Sequence, residues 1–171
     1  AMIAEVVQNP IGAPWRSYRA TALADLGRVD EAVELVREEV TLARRWGAPS
    51  LLGETLRRLG ALLARRGDDG EPELREAVAV LRASTARLEL AHAELELGRA
   101  LPPGDERTAV LRSALAGCLD SGAAGLYRGA AALLRAAGED VPAEAGDAAV
   151  VTSSERRMVE MAAAGAGPRE I

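Results

Sequence analysis

Apolar residues recur along this chain at three- and four-residue steps, and no stretch alternates apolar with polar over the length of a strand, so the pattern predicts an all-α protein. Glycines, prolines and capping residues cut the pattern into helix-length pieces. A first helix is expected over 14–26, opened by Pro14 and closed by Gly27. A second, capped by Asp30, runs to Trp46 and stops at Gly47-Ala48-Pro49. Ser50 is expected to cap a third, which carries Leu52, Leu56, Leu59 and Leu63 on one face and ends at Gly67. After the loop Asp68-Asp69-Gly70-Glu71-Pro72 a fourth is expected over 73–83. Thr85 opens a fifth with Leu88, Ala91 and Leu95 on one face, broken by Pro102-Pro103-Gly104. A sixth from Asp105 presents Leu111, Leu115 and Cys118, and a seventh spans 124–137.

The helices come in pairs. Second members end near Gly47, Ser84 and Gly122, at spacings of 37 and then 38 residues. Glu31-Ala32-Val33-Glu34-Leu35-Val36-Arg37 is nearly copied by Glu76-Ala77-Val78-Ala79-Val80-Leu81-Arg82. A helical-hairpin solenoid accounts for both, because each inner helix packs on its partner and on the next hairpin and so needs two apolar stripes and small residues at the crossings. In the second helix Val29, Ala32, Val36 and Val40 form one stripe, with Val33, Leu35 and Leu42 beside it. Trp15 and Trp46 are expected in the core or at the seams between repeats. From Gly138 the chain turns to Gly, Pro, Ala and acids and loses its period, which marks 139–151 as a linker. Thr152-Ser153-Ser154-Glu155 then reads as a capping box that starts a new amphipathic helix, followed by a turn over 165–168 and the first turn of another helix.

Composition narrows the chemistry. With 171 residues the chain suits one compact domain; hydrophobic residues are 49% and aromatics 2%, with no Phe, so the core is Ala, Leu and Val. All 21 basic residues are Arg, which removes the lysine of a phosphate-binding P-loop and the amine of Schiff-base catalysis. A net charge of -5 is the wrong sign for a chain whose main business is holding nucleic acid. A single Cys118, with no secretion signal and no membrane-length apolar run, leads to the expectation of a cytoplasmic protein without a membrane contact.

Val151-Thr152-Ser153-Ser154-Glu155-Arg156-Arg157-Met158-Val159 followed by Ala163-Ala164-Gly165-Ala166-Gly167-Pro168-Arg169-Glu170-Ile171 resembles the opening of a LuxR-type helix-turn-helix. The residues that carry the match are Thr152, Glu155, Gly165, Glu170 and Ile171; the family's Asn is Pro168 here. Upstream, Pro14-Trp15-Arg16-Ser17, Leu26-Gly27-Arg28, Leu42-Ala43-Arg44-Arg45-Trp46-Gly47-Ala48 and Ala86-Arg87-Leu88-Glu89 resemble the helical-repeat region of the large MalT-like, ATP-dependent LuxR-family regulators of actinomycetes. Ala32 and Ala77 match the small packing residue of tetratricopeptide repeats. The resemblance implies a tetratricopeptide-like solenoid over 1–138, a linker over 139–151 and the start of a helix-turn-helix over 152–171. It further implies a transcription regulator in which this segment senses an effector or a protein partner. DNA is reached only through a recognition helix beyond Ile171, and ATP is bound by a domain outside this chain, so no cofactor is expected here.

The candidate groove residues follow from the tetratricopeptide alignment: Ser17, Thr21, Glu54, Arg57, Arg65, His92 and Arg99 fall on first helices of pairs and can face a concave surface. The alternative is a solvated helix face. The doublets Arg44-Arg45, Arg57-Arg58 and Arg65-Arg66 could clamp a carboxylate or phosphate, although Glu38, Glu39, Glu54 and Asp68 offer ordinary helical ion pairs, the favoured reading. His92 is the only His, so neither a histidine metal cluster nor a Ser-His-Asp triad with a spare base is expected, and no catalytic residue is assigned. Asp68-Asp69-Gly70-Glu71 lacks the spacing of a calcium loop and reads as a turn and helix cap. Three functions remain: a sensor and coupling arm of a LuxR-family regulator, a free-standing peptide-binding adaptor, or a small helical enzyme, which requires a buried, perturbed carboxylate in a pocket. A second copy of the chain is also a candidate partner, since an uncapped solenoid end exposes apolar surface.

Overall fold

The computed structural model describes residues 15–142 together with 157, 158, 160, 161 and 163. Among the described residues the chain is all-helical. The seven helices are α1 (Trp15–Asp25), α2 (Val29–Trp46), α3 (Pro49–Arg66), α4 (Glu71–Arg82), α5 (Arg87–Ala100), α6 (Asp105–Ser121) and α7 (Ala124–Ala136). The described residues from 157 to 163 are helical as well and form the short C-terminal segment. Pro14, the stretch 143–151 and the tail residues Thr152, Glu155, Gly165, Glu170 and Ile171 lie outside the described residues.

Every helix packs on the next in chain order, and the odd-numbered helices also pack on one another, α1 on α3, α3 on α5 and α5 on α7. Helical hairpins thus stack with α1, α3, α5 and α7 as one continuous layer. The stops are where the glycines place them: Gly47, Gly67 and Gly122 adopt left-handed φ values of 65°, 94° and 68° and end α2, α3 and α6.

The starts differ from the sequence expectation in instructive ways. Ser50 does not cap α3. Pro49 already occupies the first turn, where its fixed φ begins the helix and its missing N–H costs nothing, and the preceding residue is Ala48. Asp30 lies inside the first turn of α2 with Glu31, where both carboxylates face the positive end of the helix dipole. The fourth helix begins two residues early, at Glu71, because Asp69 Oδ1 accepts a hydrogen bond of 2.9 Å from the Glu71 N–H. Thr85 stays outside α5, since Ser84 Oγ accepts the Ala86 N–H at 3.1 Å and the helix opens at Arg87.

Two buried zones meet at α5. The larger gathers Ala20, Leu23, Val33, Val36, Leu56, Leu59, Leu74, Leu81, Ala93 and Leu97, while the smaller pair of clusters around α5, α6 and α7 holds Ala91, Leu95, Leu111, Cys118, Tyr127 and Leu134. Each fully buried leucine removes enough apolar surface to contribute about 1.5–3 kcal/mol. Trp15 and Trp46 are not core residues: they remain 36% and 45% exposed. They are the first residue of α1 and the last of α2, beyond the tightly stacked middle that Ala, Val and Leu fill. Leu88, expected on a buried face, sits in the first turn of α5 and is likewise exposed. Glu139 accepts hydrogen bonds from the Arg112 guanidinium, and Val141 packs on the α5–α7 core, so the chain stays attached to the repeat for a few residues past α7.

Candidate functional site

All of the candidate groove residues lie on the layer of odd-numbered helices: Ser17 and Thr21 on α1, Glu54, Arg57 and Arg65 on α3, His92 and Arg99 on α5. They do not all share one site. Ser17, Thr21, Arg57 and Arg65 line a cleft of about 210 Å3 between α1 and α3, with Ala20, Ala24, Val36, Ala61 and Leu62 as its apolar surface. His92 and Arg99 stand on α5, and His92 is close enough to feel the charges of Arg57 and Arg99.

The arginines along α3 are engaged unequally. Arg58 Nη2 donates to Glu54 Oε1 at 2.6 Å, one turn back on the same helix. Arg65 donates to the Ala24 carbonyl and, at 3.3 Å, to Asp25 Oδ1, which ties the end of α3 to the end of α1. Arg66 pairs with Asp68 and Asp30. For these residues the ion-pair reading holds, though several partners lie across the fold rather than along one helix. Arg57 is the exception: among the described residues no carboxylate comes within 4.0 Å of its guanidinium. Burial, and then the neighbouring charge of Arg58, hold its pKa below the ordinary arginine value against the pull of Glu96, Glu54 and Glu89.

The positive balance registers at His92. Burial first, then the guanidiniums of Arg57, Arg99 and Arg58, push its pKa down to about 4, so the imidazole is neutral at physiological pH. Its Nε2 lies 3.9 Å from Glu96, whose carboxylate is taken instead by Arg99 at 2.6 Å. Thr21 Oγ1 donates locally to the Ser17 carbonyl at 3.0 Å and keeps its lone pairs for the cleft.

One residue behind the cleft escaped the sequence reading as anything but a helical ion-pair partner. Glu39 is fully buried; its Oε2 accepts a 2.5 Å hydrogen bond from Ser17 Oγ, while its Oε1 has no hydrogen-bond partner among the described residues. Burial raises its pKa above the usual carboxylate range, opposed by the Ser17 hydroxyl and by the charges of Arg58 and Arg16. The signal was present in the spacing. Ala32, Val36, Glu39 and Ala43 follow at steps of four, three and four, so Glu39 occupies a position of the buried stripe.

Among the described residues no group of three or more His, Cys, Asp and Glu side chains is placed to hold a metal ion, and no helix is long and apolar enough to cross a membrane. Cys118 is buried and its thiol is pushed up to about 11, chiefly by burial. No family model, curated protein or solved structure matches the chain.

Proposed function

We propose that this chain is the sensor and coupling arm of a LuxR-family transcription regulator, in which an effector or partner protein occupies the face formed by the odd-numbered helices. The observation that carries the reading is the gathering of Ser17, Thr21, Arg57 and Arg65 around one cleft on that layer, with His92 and Arg99 beside it. The LuxR assignment draws on the tail motif from Thr152 to Ile171, and the helical residues at 157, 158, 160, 161 and 163 agree with a helix starting after Thr152. In the mechanism, ligand binding between α1 and α3 changes how the hairpins stack, and a DNA-binding domain joined through 139–151 is repositioned or released. The ligand shifts that equilibrium only as far as it binds one arrangement better than the other.

The test uses the natural full-length protein that contains these residues. Its affinity for DNA is measured by electrophoretic mobility shift, for the wild type and for Arg57→Gln combined with Arg65→Gln. The regulator reading expects DNA binding and a several-fold change in it on substitution. Absence of DNA binding leaves the free-standing adaptor as the better account, and DNA binding unmoved by the substitutions overturns the coupling through this cleft.

A further inference from the structure

The α1–α3 cleft combines one arginine that has no close ion pair with a largely aliphatic lining. Of the arginines that line it, Arg58 is held by Glu54 and Arg65 by Asp25 and the Ala24 carbonyl, whereas Arg57 is half-buried with no carboxylate within 4.0 Å among the described residues. Such a half-buried guanidinium is free to accept a carboxylate in the fork geometry. The apolar part of the lining is Ala20, Ala24, Val36, Ala61 and Leu62, and Ser17, Thr21 and Asp25 are its other polar residues. We propose that this cleft binds a monocarboxylate with a short aliphatic body, its carboxylate on Arg57 and its chain against Ala20, Ala24, Ala61 and Leu62. This inference rests on the reading of the odd-numbered layer as the ligand-binding face and names the class of ligand.

Charge selects that class, and the cleft, about 210 Å3 and open to solvent, has room for a carboxylate with a short chain. Asp25 lines the cleft, and Glu54 stands beside Arg58 at its edge, so a dianion such as phosphate meets two carboxylates while finding only one unengaged arginine. Pairing with a single guanidinium satisfies a monoanion. Such a carboxylate is found on a free short-chain acid and at the C-terminus of a peptide ending in an aliphatic residue.

Isothermal titration calorimetry with the whole chain separates the outcomes. The probes are sodium pentanoate, inorganic phosphate, succinate, and a short peptide ending in valine with either a free or an amidated C-terminus. The proposal expects pentanoate or the free-acid peptide to bind more tightly than phosphate and succinate. The stronger of the two identifies the source, and amidation abolishes binding of the peptide. Arg57→Gln should weaken binding about tenfold or more, as expected for a lost charge-assisted pair. Arg57→Lys, which keeps the charge but loses the fork, should fall between, and exposed Arg45→Gln on α2 should change nothing. Ala61→Leu, which fills the cleft without touching a charge, should also abolish binding and covers the case in which Arg57→Gln fails to fold. No heat from either carboxylate at millimolar concentration, equal binding of phosphate, or binding that survives both Arg57→Gln and Ala61→Leu overturns the proposal. Carboxylate binding in a natural protein that does not bind DNA would overturn the regulator reading and leave the ligand assignment standing; the converse result separates the two the other way.

Discussion

His92 carries the clearest pH signature of any single side chain here. Its pKa is depressed from 6.5 to about 4 in the fold, so the unfolded chain takes up its proton first as pH falls. The sign is therefore a loss of stability on acidification, beginning near pH 6.5 and complete near pH 4. The ring is 36% exposed, and after allowance for solvent screening the loss is on the order of 1 kcal/mol. Urea unfolding of the wild type and of His92→Gln at pH 7 and pH 5 checks it: the wild type should lose more stability between the two than the variant does, and parallel losses would remove His92 as the cause. Glu39 works in the opposite sense. Its raised pKa means that it favours the fold while protonated, below about 4.5, and ceases to as pH rises through its folded value. Glu39→Gln keeps an acceptor for the Ser17 hydroxyl and removes a buried ionisation, so it should be at least as stable as the wild type at pH 7 and lose that advantage at pH 4 in the same urea series. A variant clearly less stable at pH 7 would mean that Arg16 and Arg58 stabilise the carboxylate more than burial opposes it.

Between elements, the tightest approach is where α3 passes the loop before α4. A Cβ on Gly70 would fall 2.1 Å from the Gly60 carbonyl oxygen, and one on Gly60 would meet Leu74 Cγ at 2.6 Å and the Gly70 oxygen at 2.8 Å. Apart from Leu74 Cγ these are backbone contacts, which no rotamer change relieves. Gly70→Ala should therefore cost about 1–3 kcal/mol by overpacking, even though Gly70 has an ordinary φ of -104°, and urea unfolding would read it directly. A cost near zero would mean the loop can swing away from α3. That pair also marks the limit of what the sequence discloses. Helix identity was legible because three- and four-residue spacing survives in every element, and the stops were legible because left-handed closure selects glycine, as at Gly47, Gly67 and Gly122. The starts were less so: Asp69 and Ser84 act from the loops, and Pro49 displaces Ser50 as the opening residue. A glycine inside a helix, such as Gly60, says that something comes close but not what. For the cleft, the alignment put Thr21, Arg57 and Arg65 on one layer, but only the fold separates the engaged Arg58 and Arg65 from Arg57.

At the scale of the molecule, α5 is the shared wall. Ala93, Leu97 and the following Leu101 face the larger zone built with α3 and α4, while Ala91 and Leu95 face α6 and α7. Apolar residues on two faces are what an inner helix of a stack requires, and α6 adds a second link, with Val110 in the larger zone and Glu106 paired to Arg75 of α4. A stack with nearest-neighbour coupling unfolds locally from its weaker end. Leu134→Ala removes a fully buried side chain from α7 and should cost about 2–5 kcal/mol. Hydrogen exchange should then rise across α6 and α7, while amides of α2 and α3 keep their protection. Uniform loss of protection from α1 to α7 would instead indicate a single cooperative unit. The distinction bears on coupling as well. A ligand between α1 and α3 reaches the C-terminal end by altering how α3 seats on α5 and α5 on α7, with the ion-pair contact of α4 on α6 as a second route. Saturating pentanoate should accordingly slow exchange first in α1 and α3, and extend to α7 only if α5 or α6 relays the change.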